Sequence, residues 1–386
     1  MAVTLASAEN ALKTVYLGVV SDQLNSNTNP LYNKIARSTQ NIAGREIRKA
    51  APIGINGGFG AGTEDGALPA AHANKYAQFV LGLKNLYGQI EISDKAVKAS
   101  ANSAGAMVNL LNAELEGLLK ASKFNLGRML YGDGTGKLCK VLAVDTIDSF
   151  ILVDDSRNLI EGMVVDFSDG SGSIKKKIRI EYVDRATNYV YINAQIVWSG
   201  SGGYLTVQDS YQNEITGLGA IFAETGTLYG LNKNQNKWLI PASASGATFD
   251  ETTMQSIIDK LEDERGSVID MIVCPAGVRR AYQKLMLTYK HNIDIMDLAG
   301  GYKAISYNGI PVVNDRFAPK GTMYFLDTSE FALHQLCDWK WLESENGKII
   351  TQVPGKAMFT ATLVKYADLI CNKPAGQGKL INIAEK

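Results

Sequence analysis

Apolar residues recur at helical spacing between residues 100 and about 131. Met107, Leu111, Leu115, Leu118, Leu126 and Met129 mark one stripe, with Leu110, Leu119 and Leu130 beside it. Glu114, Glu116, Lys120, Lys123 and Arg128 occupy other faces. The pattern predicts one helix of roughly 48 Å at 1.5 Å per residue. No heptad repeat is sustained through it, so it does not read as a coiled coil. The stripe stops at "LYGDGTGK", residues 130–137, and the period then changes. "KIRIEYV" alternates, with Ile178, Ile180 and Tyr182 on one side and Lys177, Arg179 and Glu181 on the other. "YVYINAQIVW" follows, and "VDDSRN", "SDGSGS" and "SGSGG" supply turns. Short strands between such turns predict a small barrel or sandwich over 138–210, with a core around Ile178, Ile180, Tyr182 and Val190.

Upstream of the helix the pattern is weaker. Leu12, Tyr16 and Val19 have helical spacing, then "SDQLNSNTNPLYNK" turns polar and carries Pro30, which reads as a helical piece followed by an arm. Residues 41–99 contain two strand-like halves around a tip, 54–74, rich in Gly, Ala and Pro. That tip has too few bulky apolar side chains to bury a core, and a connection so long is unusual inside a compact domain. The flanks "YAQFVLGL" and "YGQIEI" carry apolar groups that an isolated ribbon would leave wet. Together they predict a hairpin that is ordered by lying on another subunit.

Downstream of 211 helices and strands mix. Thr248 and Glu251 fit a capping box. Met254, Ile257, Ile258 and Leu261 follow at i, i+3, i+4 and i+7, and Gly266 ends that helix. "VIDMIVCP" reads as a buried strand and "AGVRRAYQKLMLTY" as a second helix. Further strands are expected at "IPVV", "TMYFLD", "FALHQL", "KIITQV", "FTATLVKYADLI" and "KLINI".

Composition narrows the function. The 386 residues suffice for two or three domains, with 46% hydrophobic and 20% charged residues. Thirty-nine basic residues balance thirty-nine acidic ones. Such balance gives no footprint for specific nucleic-acid binding and opposes self-association little. The one basic run, Lys175 to Lys177, reads as a solvated strand end. Cys139, Cys274, Cys337 and Cys371 have no metal-ligand or C-x-x-C spacing and read as isolated thiols of a reducing, cytoplasm-like space. The first residues lack the basic region of a secretory signal, and no stretch approaches the ~20 apolar residues of a membrane span.

Candidate chemistry is sparse. A P-loop wants four residues between its glycines and a Ser or Thr after the lysine. Gly132 and Gly136 enclose three residues, and Leu138 follows Lys137. The dinucleotide pattern fails too, because Lys137 stands where the third glycine belongs. A helix end with left-handed glycines, Gly132 foremost, explains the run. His72, His291 and His334 form no metal motif, and His334 reads as a strand residue. Cys274 follows a strand and precedes a helix but lacks a nucleophile elbow. Asp154 with Asp155, and Glu262, Asp263 and Glu264, read as solvated faces. No catalytic, cofactor-binding or metal residue is assigned.

The order of these segments resembles the major capsid proteins of tailed bacteriophages, with the Hong Kong 97-like fold. Three stretches carry the resemblance, which extends over nearly the whole chain. "ANSAGAMVNLLNAELEGLLKASKFNLGRMLYGDGTGKL" is similar to that family's spine helix and its exit. "EITGLGAIF" with "LYGLNKNQNKWL" resembles the lead into its axial domain. "VIDMIVCPAGVRRAYQKL" with "NGIPVVNDRFAPKGTMYFLD" resembles the strand, helix and strand of its second half. The resemblance implies an α+β fold in six parts. These are an N-terminal arm (1–40), an extended loop (41–99), a spine helix of the peripheral domain (100–137) and an inserted β domain (138–210). A peripheral-domain return leading into the axial domain (211–245) follows, then the axial domain with the remaining peripheral strands (246–386).

It implies a shell protein that needs no active site and no cofactor. The expected partners are further copies as pentamers and hexamers, a separate scaffolding protein and a portal, with decoration proteins left open. Packaged double-stranded DNA would meet the inner face without specific contact. Assembly in a bacterial host's cytoplasm and residence in the virion capsid are expected, with no membrane. The inserted β domain exceeds the minimal fold, and no scaffolding-like extension precedes the arm. Some relatives cross-link subunits through a loop lysine, but nothing singles out Lys49 or Lys75. Two rivals remain: an encapsulin-like compartment with an enzyme cargo, and an enzyme whose site lies between the second-half helices.

Overall fold

The computed structural model describes residues 30–95, 104–145, 149–170, 173–198, 200, 202–289, 295–298, 302–344 and 347–385. The helical spacing of Leu12, Tyr16 and Val19 and the position of His291 lie outside them. Among the described residues, three hydrophobic cores organise the fold.

The first core lies between the long helix, Ala104–Met129, and a five-stranded sheet. At 1.5 Å per residue the helix is about 39 Å long. Leu115, Leu119, Leu126 and Met129 are buried from it, as the stripe predicts. The sheet centres on two antiparallel strands, Phe331–Trp341 and Met358–Cys371. Lys84–Ser93 pairs along the second of these from Lys84 opposite Ala367 to Ser93 opposite Met358. Its alternating burial follows from one face lying on the core. At the opposite edge Ala36–Ser38 adds a short parallel strand, anchored by buried Leu31 and Tyr32.

This corrects the expected hairpin. Glu46–Ile53 and Lys75–Gly82 pair in continuous register, Glu46 opposite Gly82 and Ile53 opposite Lys75. "YGQIEI" leaves the hairpin and joins the sheet, because its alternating apolar side needs a buried face. Phe79 is also buried within the chain, stacked on Trp238 at 6.0 Å and beside Tyr229 at 5.0 Å. Phe79, Ile90 and Ile92 are therefore dry without another subunit, while Tyr76 and Tyr87 stay 60% and 62% exposed.

The second core fills a closed six-stranded barrel. Its strands, in order around the wall, are Tyr189–Ile192, Phe150–Val153, Lys137–Asp145, Gly203–Val207, Val164–Ser168 and Ser173–Asp184. Ile178, Ile180 and Val190 are buried as expected, but Tyr182 is 57% exposed. A bulge opposite Tyr191 and Ile192 inserts one residue, so Val183 turns inward in its place. The barrel and the long helix beside it hold the loop that follows Ile310–Asn314. Arg157 donates to the Ala318 carbonyl at 3.1 Å, and Phe124 packs on Phe317 at 5.2 Å.

The third core joins two helices, Glu251–Arg265 and Ala276–Tyr289, to a seven-stranded sheet. Met271–Cys274 lies at its centre between Met323–Leu326 and Ile310–Asn314. Met254, Ile257, Ile258 and Leu261 are buried, and left-handed Gly266 ends their helix. The cap differs from the expected box. Asp250 accepts the Thr253 N–H at 2.7 Å, because the helix begins at Glu251, three residues past Thr248. Two outer strands of this sheet, Ile295–Leu298 and Tyr302–Tyr307, had no counterpart in the pattern. "KIITQV" forms a strand only at Thr351–Gln352, with Ile349 and Ile350 buried beside it.

Candidate functional site

The three units meet where the long helix ends. Tyr131 and Gly132 close the last turn by donating to the Arg128 and Met129 carbonyls at 3.1 and 3.0 Å. Gly132 therefore stays in the turn, and the left-handed positions are Gly134 and Gly136, at φ 84° and 78°. The expectation for Gly132 was misplaced by one short turn. The segment Glu214–Ile221 then crosses the helix end at backbone contact. A side chain at Gly217 would strike the Met129 carbonyl and lie 2.6 Å from that of Leu130. Leu218 donates to the Leu130 carbonyl at 2.7 Å.

Buried charge pins this crossing. Arg128 holds Glu214 through two bonds of 2.6 and 2.8 Å, with both side chains at most 5% exposed. Asp368, buried in the long strand, accepts from the Thr216 and Leu369 amides at 2.7 and 2.8 Å. Burial pushes its carboxyl up to about 7, against these donors. Tyr131 donates to Asp315 at 2.8 Å, and burial raises both groups. The crossing thus ties helix, sheet and third unit through groups from four distant stretches of sequence.

The "YGDGTG" turn lacks the geometry of a phosphate loop, which precedes a helix rather than follows one. The Asp133 carboxylate takes the Thr135 amide and hydroxyl at 2.9 and 2.5 Å. Lys137 lies 4.4 Å over the Tyr204 ring. The turn also follows a helix C-terminus, whose dipole repels a phosphate. Lys137 is thus a ring partner as well as a strand residue.

The other candidates are dispersed. His72 is exposed in the hairpin tip, while His334 is buried in the sheet with Nδ1 3.0 Å from the Gln40 carbonyl. Cys274 is buried, its thiol 3.8 Å from the Val313 carbonyl, and burial pushes it up to about 12. Asp155 pairs with Arg157 at 2.7 Å, and Asp154 caps the Lys140 amide at 2.8 Å. Glu262, Asp263 and Glu264 are exposed on their helix, and Lys175, Lys176 and Lys177 on the barrel. Lys49 donates to Asn372 of its own chain at 2.7 Å, while Lys75 is exposed. Among the described residues, no three His, Cys, Asp or Glu side chains gather to hold a metal, and no helix is long and apolar enough to cross a membrane. An open depression of 340 Å³ lies at the hairpin base, lined by Arg45, Glu46, Leu83, Leu336 and Tyr366.

The hairpin tip is the opposite of a buried site. Residues 54–74 have no helix or strand, and Ile55, Phe59 and Leu68 are each more than 90% exposed. Three large apolar side chains on one loop are thus left uncovered by the rest of the described residues.

The sequence matches no protein-family model and no curated protein. Its structure is similar to the Cyanophage A-1(L) capsid asymmetric unit, at TM-score 0.55 and 13% identity, over 94% of this chain and 91% of that one. The chain has the Hong Kong 97-like shell fold. Two further similar structures are a native GTA particle capsid (TM-score 0.48, 13% identity, 91% and 89% covered) and an encapsulin complex from Synechococcus elongatus PCC 7942 (TM-score 0.48, 9% identity, 93% and 89% covered).

Proposed function

We propose that the chain is the major capsid protein of a tailed phage, building the shell around a double-stranded DNA genome. The supporting observation is the end-to-end likeness to a cyanophage capsid subunit, which leaves neither chain with a large unmatched part. The exposed hairpin tip supports the same reading, since a subunit closed on all sides by copies needs such a surface. So does the zero net charge, which limits repulsion among many copies.

On this reading residues 30–40 belong to the arm, 46–82 to the extended loop, 137–207 to an inserted barrel, and the seven-stranded sheet to the axial domain. The chain acts through contacts rather than catalysis. Its partners are copies of itself in pentamers and hexamers, a separate scaffolding protein, a portal, and packaged DNA met non-specifically. It assembles in the host cytoplasm and resides in the virion. Particles purified from the native source test the proposal through their contents. DNA inside supports it; one enriched enzyme without DNA supports an encapsulin-like compartment instead.

A further inference from the structure

The outer wall of the barrel carries an aromatic row. Phe150 lies opposite Tyr191, and Tyr191 opposite Tyr182, on three adjacent strands. The rings touch in sequence, at 5.9 and 5.8 Å between centroids, and Tyr189 packs on Phe150 at 4.8 Å. Their strand neighbours Ile151, Val190, Ile192 and Val183 fill the barrel, so the row faces out. Tyr182 and Tyr191 are 57% and 37% exposed. The bulge that turns Val183 inward is what brings Tyr182 into this row.

Beside the row stand Arg179 and Glu181, both exposed and neither in an ion pair among the described residues. The geometry points to this wall as a contact between barrels of two copies, related by a two-fold axis. The inference rests on the shell reading, which supplies the many copies. A two-fold contact is self-complementary, and a patch that carries both charges beside an apolar row can match itself. Arg179 of each copy then meets Glu181 of the other while the rings cover one another.

The ring geometry also selects the occupant. A stacked sugar or base needs an open, flat ring face. Here neighbouring rings meet at 69°, 53° and 39°, and Tyr191 is flanked on both sides. Interlocking side chains of a protein suit such a relief better than a planar ring. Aromatic side chains bury about 150–250 Å² each, so a partly exposed row supplies a few hundred Å². That is below the roughly 800 Å² per partner of a stable complex. It fits a weak contact between subunits already held in one assembly.

Charge reversal on the full chain tests this. Arg179→Glu and Glu181→Arg are made singly and together, and sedimentation at low and high salt measures self-association. Unchanged circular dichroism and melting confirm that the exposed substitutions leave the fold intact. Each single reversal sets two like-charge pairs against each other and is expected to weaken association roughly tenfold at low salt, less at high salt. The double reversal restores it. Wild-type assembly that ignores all three variants overturns the barrel contact and leaves the shell reading standing. A wild-type chain that never self-associates overturns both. Saturable binding of maltohexaose that quenches tyrosine fluorescence, lost in Tyr191→Ser, with association unaffected by the reversals, overturns it in favour of a sugar ligand.

Discussion

Arg128→Met removes a cation from a place with almost no water. Glu214 is 2% exposed and takes both its bonds from Arg128, at 2.6 and 2.8 Å. The variant leaves that carboxylate buried beside the apolar end of the long helix. Breaking one side of such a pair costs about 3–5 kcal/mol, because the remaining charge has lost its partner. Arg128→Met with Glu214→Leu removes both charges and is expected to recover most of the loss. Global unfolding of a chain with three cores is not a single two-state event, so a local reading is preferable. The Leu218 amide serves, since it donates to the Leu130 carbonyl across the same crossing. Hydrogen exchange at Leu218 in the unassembled protein is expected to accelerate on the order of a hundredfold or more in the single variant. The double variant should return to within about tenfold of wild type. A single variant with unchanged exchange, or a double variant as fast as the single, would refute the role assigned to the pair.

Residues 54–74 are expected to exchange fast in the unassembled chain and slow down on assembly; equal protection in both states would remove the tip from the interface. Asp368 should make stability pH-dependent: its folded pKa of about 7 exceeds the carboxyl's ordinary value near 4, so its contribution is complete below about pH 4 and lost as the pH rises to about 7. Asp368→Asn should flatten the urea midpoint across that window, and an unchanged slope would contradict the assignment. Lys137→Ala should cost about 0.5–1 kcal/mol through the lost ring contact, seen as a small fall in melting temperature. ATP at millimolar concentration should not raise the wild-type melting temperature, and a shift abolished by Lys137→Ala would restore the phosphate-loop reading.

The elements that carry one strong period were legible in the sequence. The stripe from Leu115 to Met129 needed only helical spacing, and the barrel core at Ile178 and Ile180 only alternation. Tyr182 was misread because a bulge shifts the alternation by one residue, and nothing local announces it. The fate of "YGQIEI" depended on a partner strand more than 260 residues away, which no window of sequence contains. The helix-exit crossing was hidden for the same reason. Arg128, Glu214, Asp315 and Asp368 are ordinary charged residues until the fold removes water from them. The nearest sequence signal was the pair of glycines in "EITGLGAIF", since small residues mark close backbone approach. The exposed tip was legible from composition; that Phe79, Ile90 and Ile92 beside it are buried within the chain was not.

Electron microscopy of the purified chain, concentrated alone and after co-expression with the proteins encoded beside it, tests the shell reading most directly. The account predicts closed particles of uniform size, built from rings of five and six subunits. A field of single subunits in both samples, at every concentration, would contradict it.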